Sequence, residues 1–164
     1  YTPGVALGTS VATYASQNLG AHKNFRIKKG IYTAVAMYGI WWLLAMLITF
    51  TIARSILILI TGSSDDTVIT NGLMYLRISI PMIPPMAVLV IVRNALQGMR
   101  HSVAPLICSA LEMIGKIIFA LWLVPVYGYI AVCICEPVTW VVCFIFIMIS
   151  ALKFRADFRD PVTE

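Results

Sequence analysis

Between Tyr32 and Ala53 the sequence runs YTAVAMYGIWWLLAMLITFTIA, 22 residues without a charge. A helix needs about 20 predominantly apolar residues to cross the hydrocarbon core of a bilayer, so this run is long enough to span one. The rest of the chain follows the same rule. Of its 164 residues 60% are hydrophobic and only 12% charged, with a mean hydropathy of +0.91. Soluble domains sit near 45–50% apolar and about 25% charged. The apolar residues are gathered into long runs, which identifies an integral membrane protein. A secreted enzyme, a DNA-binding domain and a disordered tail are excluded.

Membrane β-strands alternate in hydrophobicity over about ten residues, whereas these runs are uniformly apolar and longer. The fold class is therefore an all-α polytopic membrane protein, a bundle of transmembrane helices. The runs predict a truncated helix over 2–20 and full spans over 31–54, 73–97, 103–126 and 128–152. In domain terms, 1–20 is a truncated transmembrane helix, 21–30 a basic cytoplasmic joint, 31–152 a four-helix bundle and 153–164 a cytoplasmic tail. The chain opens at Tyr1 rather than Met, inside a hydrophobic pattern, so its natural N-terminus is expected upstream. The joints support the division. AHKNFRIKKG (21–30) is basic, TGSSDD (61–66) is a polar turn, Pro105 suits the first turn of a helix, and Pro125 and Gly128 bracket the last turn.

Twelve Lys and Arg against seven Asp and Glu would suggest nucleic acid in a soluble protein. Here the excess reads as topology. Lys23, Arg26, Lys28, Lys29, Arg100, Lys153, Arg155 and Arg159 fall on alternate joints and so share one side, while the opposite joints hold only Arg54. The positive-inside rule makes the first side cytoplasmic, the C-terminus included, in a multi-pass protein of the cell membrane. Tyr32 then lies at the inner interface, and Tyr75, Trp122, Tyr127 and Tyr129 at the outer one. The basic joint is also the kind of segment that recognises anionic lipid.

Other features bear on packing. Gly4, Gly8, Ala12, Ser16 and Gly20 recur every fourth residue, a smooth stripe that lets membrane helices approach closely. Pro81, Pro84 and Pro85 in SIPMIPPM should kink or unwind the third span, because each removes a backbone donor. Freed carbonyls must then face protein or a wetted cavity, and transporters use such broken helices at binding sites. Cys108, Cys133, Cys135 and Cys143 lie within apolar runs and read as small buried hydrophobes. His22 and His101 fall in joints. No metal site and no catalytic constellation is read: there is no paired-aspartate motif, no HExxH and no serine–histidine arrangement.

The run TSVATYASQNLGAHKNFRIKKG (9–30) resembles the segment following the eighth helix of MATE transporters, the multidrug and toxic compound extrusion family. Thr13, Gln17, Asn18, Gly20, Ala21, Arg26 and Gly30 carry the match. DDTVITNGLMYLRISIP (65–81) resembles the approach to the tenth helix through Tyr75, Leu76, Arg77 and Pro81, and NALQG, with Gln97 and Gly98, resembles its exit. Glu112 and Lys116 resemble an acidic–basic pair of the eleventh helix. Two departures stand out: Arg100 occupies a position where members usually carry Gly, and Lys116 one where Arg is frequent. The resemblance implies the end of helix eight through helix twelve, the partial C-terminal lobe of a twelve-helix antiporter. It also implies the missing N-terminal lobe as a partner, Na⁺ or H⁺ as coupling ion with no other cofactor, and amphipathic, often cationic, substrates.

Charges inside spans are costly, about 2.5–3.5 kcal/mol each on insertion scales. Arg77 and Arg93 lie about four residues, or about 6 Å, inside their expected helix ends and read as snorkelling anchors. Glu112, Lys116 and Glu136 are too deep for that. Glu112 and Lys116 are four apart with the acid first, the favourable order on one helix face. Lys116 lies about 20 Å from the inner edge, and Glu136 about 12 Å from the outer edge of a core about 30 Å thick. They are nearly level on antiparallel neighbours. Two acids and one base leave one carboxylate to carry a proton, meet a cation or face water, as an ion-coupling site or a structural lock. The function expected is export of drugs or toxic metabolites. The alternatives are a lipid-linked sugar flippase of the same superfamily, or a small non-transporting membrane assembly partner.

Overall fold

The structure, a computed structural model, describes residues 2–62 and 65–154. Within them the chain forms α1 (Thr2–Gly20), α2 (Asn24–Thr61), α3 (Asp66–Ser79), a 3₁₀ turn (Ile80–Met82), α4 (Ile83–Gly98), α5 (Val103–Ile118), a π turn (Phe119–Leu123), the single turn α6 (Val124–Tyr127) and α7 (Tyr129–Lys153). Four continuous stretches are long and apolar enough to cross a membrane: Asn24–Thr61, Asp66–Gly98, Val103–Tyr127 and Tyr129–Lys153. Ser63 and Ser64 of the TGSSDD turn, and Arg155 and Arg159 with the rest of the tail from 155, lie outside the described residues.

Helix ends follow local chemistry. α2 stops at Gly62, whose φ of 63° gives the left-handed cap that glycine adopts without a steric penalty. α3 starts on Asp65, whose carboxylate accepts from the Thr67 N–H at 2.8 Å. Arg54 and Asp66 pair across this turn at 3.4 Å, but both side chains are largely exposed, so the pair adds little.

Two boundaries differ from the sequence expectation. The helix expected over 31–54 runs for 38 residues, about 57 Å at 1.5 Å per residue. Most of the basic joint is therefore the first turns of α2, and the non-helical link shrinks to residues 21–23. Asn24 to Gly30 contains no proline to stop the helix. The third span likewise begins at Asp66, so Arg77 lies eleven residues into its helix rather than four.

The link between α1 and α2 is a paired C-terminal cap. The Lys23 N–H bonds to the Asn18 carbonyl at 2.9 Å and the His22 N–H to the Leu19 carbonyl at 3.1 Å, with His22 at φ 55°. The link between α4 and α5 repeats it: the His101 N–H bonds to Leu96 and the Arg100 N–H to Gln97, with Arg100 at φ 69°. His101 then stacks on Phe154 with ring centroids 4.0 Å apart, tying this turn to the end of α7.

α4 is the central helix and packs against α1, α2, α5 and α7. Its buried positions, Leu89, Ile91, Val92, Ala95 and Leu96 among them, meet Tyr38 and Ala34 of α2 on one side and Cys108, Cys143 and Ile147 on the other. α1 buries Gly4, Gly8, Val11, Ala15 and Asn18, a mean step of about 3.5 residues that suits packing between near-parallel helices. The upper part of the small-residue stripe makes these contacts. A Cβ on Gly4 would meet the Tyr38 ring at 2.8 Å and one on Gly8 the Asn94 amide at 2.8 Å. Ser16 and Gly20 instead face outward, because the buried seam shifts by one residue at Val11. Cys108, Cys133 and Cys143 are buried and Cys135 half-buried, all as free thiols.

Candidate functional site

Four charges of α4, α5 and α7 form one chain. Lys116 Nζ lies 3.1 Å from Glu112 Oε1 and 3.1 Å from Glu136 Oε1, and Arg93 Nη1 lies 3.7 Å from Glu112 Oε2. The order Arg93–Glu112–Lys116–Glu136 alternates in sign and links α4, α5 and α7. The depth argument thus brings together three residues that do meet. It missed the fourth. Arg93 is no free snorkelling anchor: its guanidinium turns toward Glu112, and the cluster carries no net charge rather than a surplus carboxylate. Each side chain is half-buried, and Glu112 and Lys116 open onto a groove of about 440 Å³ beside Ser109 and Ala120.

The two acids are placed differently. Glu112 sits between two cations, while Glu136 ends the chain on Lys116. The helices carrying them are irregular close by. Three residues beyond Lys116, α5 widens into the π turn Phe119–Leu123, a feature frequent at functional sites. On α7 the residue after Glu136 is Pro137, inside the helix, where it removes a backbone donor. Between them Gly115 faces Thr139, whose Oγ1 would be 3.5 Å from a Cβ there and donates to the Cys135 carbonyl at 2.7 Å. Neither Pro137 nor the π turn was singled out from the sequence; Pro137 stands within an apolar run and could have been found there, whereas the π turn leaves no mark in the sequence.

The proline run does break its helix. α3 ends at Ser79, Pro81 lies in the 3₁₀ turn, and Pro84 and Pro85 open α4. Pro84 has no N–H for the Ile80 carbonyl, which accepts instead from the Ile83 N–H and from Trp42 Nε1 at 2.9 Å. The freed oxygen is thus satisfied within protein. The Ser79 hydroxyl beside the break is buried without a hydrogen-bond partner among the described residues. Arg77 is exposed, on a shallow groove of about 350 Å³ with Thr70 and Met74.

The remaining motif residues build turns and contacts. Asn18 is buried, its Nδ2 donating to the Tyr14 carbonyl at 2.8 Å, while the Gln17 carbonyl accepts from Ala21. Gly20 and Arg26 are exposed, Tyr75 is half-buried in α3, and Gln97 supplies the carbonyl of the second cap. Gly98 is pressed on α1: a Cβ there would run into the Ala12 carbonyl oxygen. Residues 1–122 match the MatE family. The chain belongs to the MatE family. Searches of curated proteins and of solved structures return no match. MatE proteins are membrane transporters of the efflux and flippase superfamily, and the described residues of this chain are all-α with four helices of membrane-crossing length. Arg93, Glu112 and Lys116 fall within the matched residues, and Glu136 lies beyond them.

The turn geometry shows why glycine would suit the position that Arg100 occupies. The turn requires φ 69° there, a conformation costing an L-residue about 1–2 kcal/mol and glycine nothing comparable. Restoring glycine (Arg100→Gly) should raise stability by about 1 kcal/mol. Thermal unfolding of the purified protein in detergent should show the higher midpoint, whereas Arg100→Ala should gain nothing.

Proposed function

We propose that this chain works as part of the C-terminal lobe of a secondary antiporter, exporting amphipathic, often cationic, compounds from the cell in exchange for Na⁺ or H⁺. The C-terminus and the Lys/Arg-rich joints lie on the cytoplasmic side of the cell membrane, and an N-terminal lobe completes the substrate path. One observation carries the reading: the alternating chain Arg93–Glu112–Lys116–Glu136 joins three helices. A neutral chain of this kind responds to ions through its weakest end. A proton or Na⁺ taken up by Glu136 releases Lys116 from α7 while Glu112, now shared by two cations, still holds it on α5. α5 and α7 are then free to shift where the π turn and Pro137 already interrupt regular bonding. Glu112, held by two cations, serves as the lock.

The expected result separates the two acids. Glu136→Gln should insert near wild-type abundance but shift the pH or Na⁺ dependence of export. Glu112→Gln should lower abundance first. The measurement is export rate against pH and Na⁺, normalised to protein in the membrane. Normalised curves for Glu136→Gln that overlay the wild type would make the cluster purely structural and move ion coupling elsewhere.

A further inference from the structure

A second feature lies at the basic end of the bundle, away from the charge chain. α1 and α2 enclose a groove of about 740 Å³. Arg26 and Lys29, three apart and on one face of α2, stand at its mouth. Its floor is Val11 and the Tyr14 ring, which packs so closely on α2 that a Cβ at Gly30 would lie 2.7 Å from it. Leu7 and Met37 close the far end. The groove is apolar along its length and cationic at one end only.

Its dimensions match one leaflet. From Arg26 to Met37 is eleven residues, about 16 Å along α2 at 1.5 Å per residue, against about 15 Å for half of a 30 Å hydrocarbon core. Its serine and threonine hydroxyls are already engaged: Ser10 donates to the Ala6 carbonyl at 2.8 Å and Thr33 to the Lys29 carbonyl at 3.0 Å. The ion pairs among the described residues engage Arg54, Arg93 and Lys116, leaving Arg26 and Lys29 without an acidic partner there. Two unpaired cations at the interface above an apolar channel one leaflet deep form a receptor with one complementary shape.

We infer that the α1–α2 groove binds an anionic phospholipid of the leaflet on its basic side, with the headgroup phosphate between Arg26 and Lys29 and an acyl chain running inward over Tyr14 toward Met37. The bound lipid fills the seam between α1 and α2 and so cements the helix at the edge of the bundle. The inference is independent of the antiport reading, because it concerns retention of lipid and not transport.

The test is native mass spectrometry of the full-length protein in detergent micelles doped with dioleoyl phosphatidylglycerol or dioleoyl phosphatidylcholine. Wild type should retain the glycerol lipid in preference to the choline lipid. Arg26→Gln with Lys29→Gln should weaken that retention by about thirtyfold, from about 1 kcal/mol per basic residue near the membrane surface. Lys28→Gln, an exposed charge outside the groove, should leave the preference in place. Thr33→Trp keeps both charges but obstructs the apolar channel, and should lower retention of either lipid. Equal retention of the two lipids by wild type, or a preference that survives loss of Arg26 and Lys29, would overturn the assignment. So would full retention by Thr33→Trp, which would leave only adsorption onto a basic surface. A photocrosslinker at Thr33 that captures protein rather than lipid would assign the groove to another helix and end the proposal.

Discussion

Replacing Glu112 by leucine is expected to cost about 3 kcal/mol and to sharply reduce the folded protein in the membrane. The carboxylate is the one group among the described residues that faces two cations, Lys116 at 3.1 Å and Arg93 at 3.7 Å. Its removal leaves Lys116 with Glu136 alone and half-buried Arg93 without an acidic partner among the described residues. The size of the loss therefore depends on what remains unpaired and not on the contact removed. A double variant separates these. Glu112→Leu with Arg93→Met leaves Lys116 and Glu136 as a balanced pair, and abundance should return most of the way. Fluorescence-detected size exclusion of both variants measures the difference. A double variant as poorly folded as the single one would show that packing around Glu112, rather than charge balance, is at stake.

Gly98→Val is expected to be comparably damaging for a different reason. The pro-Cβ direction of Gly98 points at the Ala12 carbonyl, a backbone atom in the middle of α1. Backbone cannot rotate out of the way as a side chain does, so α1 and α4 must part along their whole seam. Over-packing of this type costs about 1–3 kcal/mol, and the upper end applies where the obstacle is a helix axis. In a membrane such separation also forfeits close packing, the main attraction between helices there. Gly20→Val offers the control, since a Cβ at Gly20 meets nothing within 4 Å. Both glycines lie in runs that resemble family segments, yet the unfolding temperature in detergent should fall several degrees for one and little for the other.

That contrast shows where sequence reading stops. Gly4, Gly8, Ala12, Ser16 and Gly20 look equivalent in a list of every fourth residue. Gly4 and Gly8 take up the contacts with Tyr38 and Asn94, whereas Ser16 is exposed and a Cβ at Gly20 would meet nothing within 4 Å. The break at SIPMIPPM was legible because proline acts on its own backbone, but the partner that satisfies the Ile80 carbonyl, Trp42, is 38 residues away. Similarly, the positive φ at Arg100 explains why glycine suits that position, and only the folded turn reveals it.

By itself the sequence determined what each segment must be. Uncharged runs of membrane length have to satisfy their own backbone groups, and in lipid the helix is the local solution. The same arithmetic along the chain put Lys116 and Glu136 at one depth, since rise per residue is a property of one helix. Tertiary structure alone decided who faces whom. Arg93 read as an anchor near a helix end because its depth on α4 is shallow. It joined Glu112 because α4 lies at the centre of the bundle, against α5 and α7, and its long side chain spans the difference in depth. The basic joint likewise read as a loop because charge marks sides, not conformation. It became helix, and set Arg26 and Lys29 above a groove, because nothing between Asn24 and Gly30 interrupts the backbone ladder and α1 packs alongside. Hydropathy is a sum over one segment, whereas contacts are relations between segments, and only the packed bundle contains those.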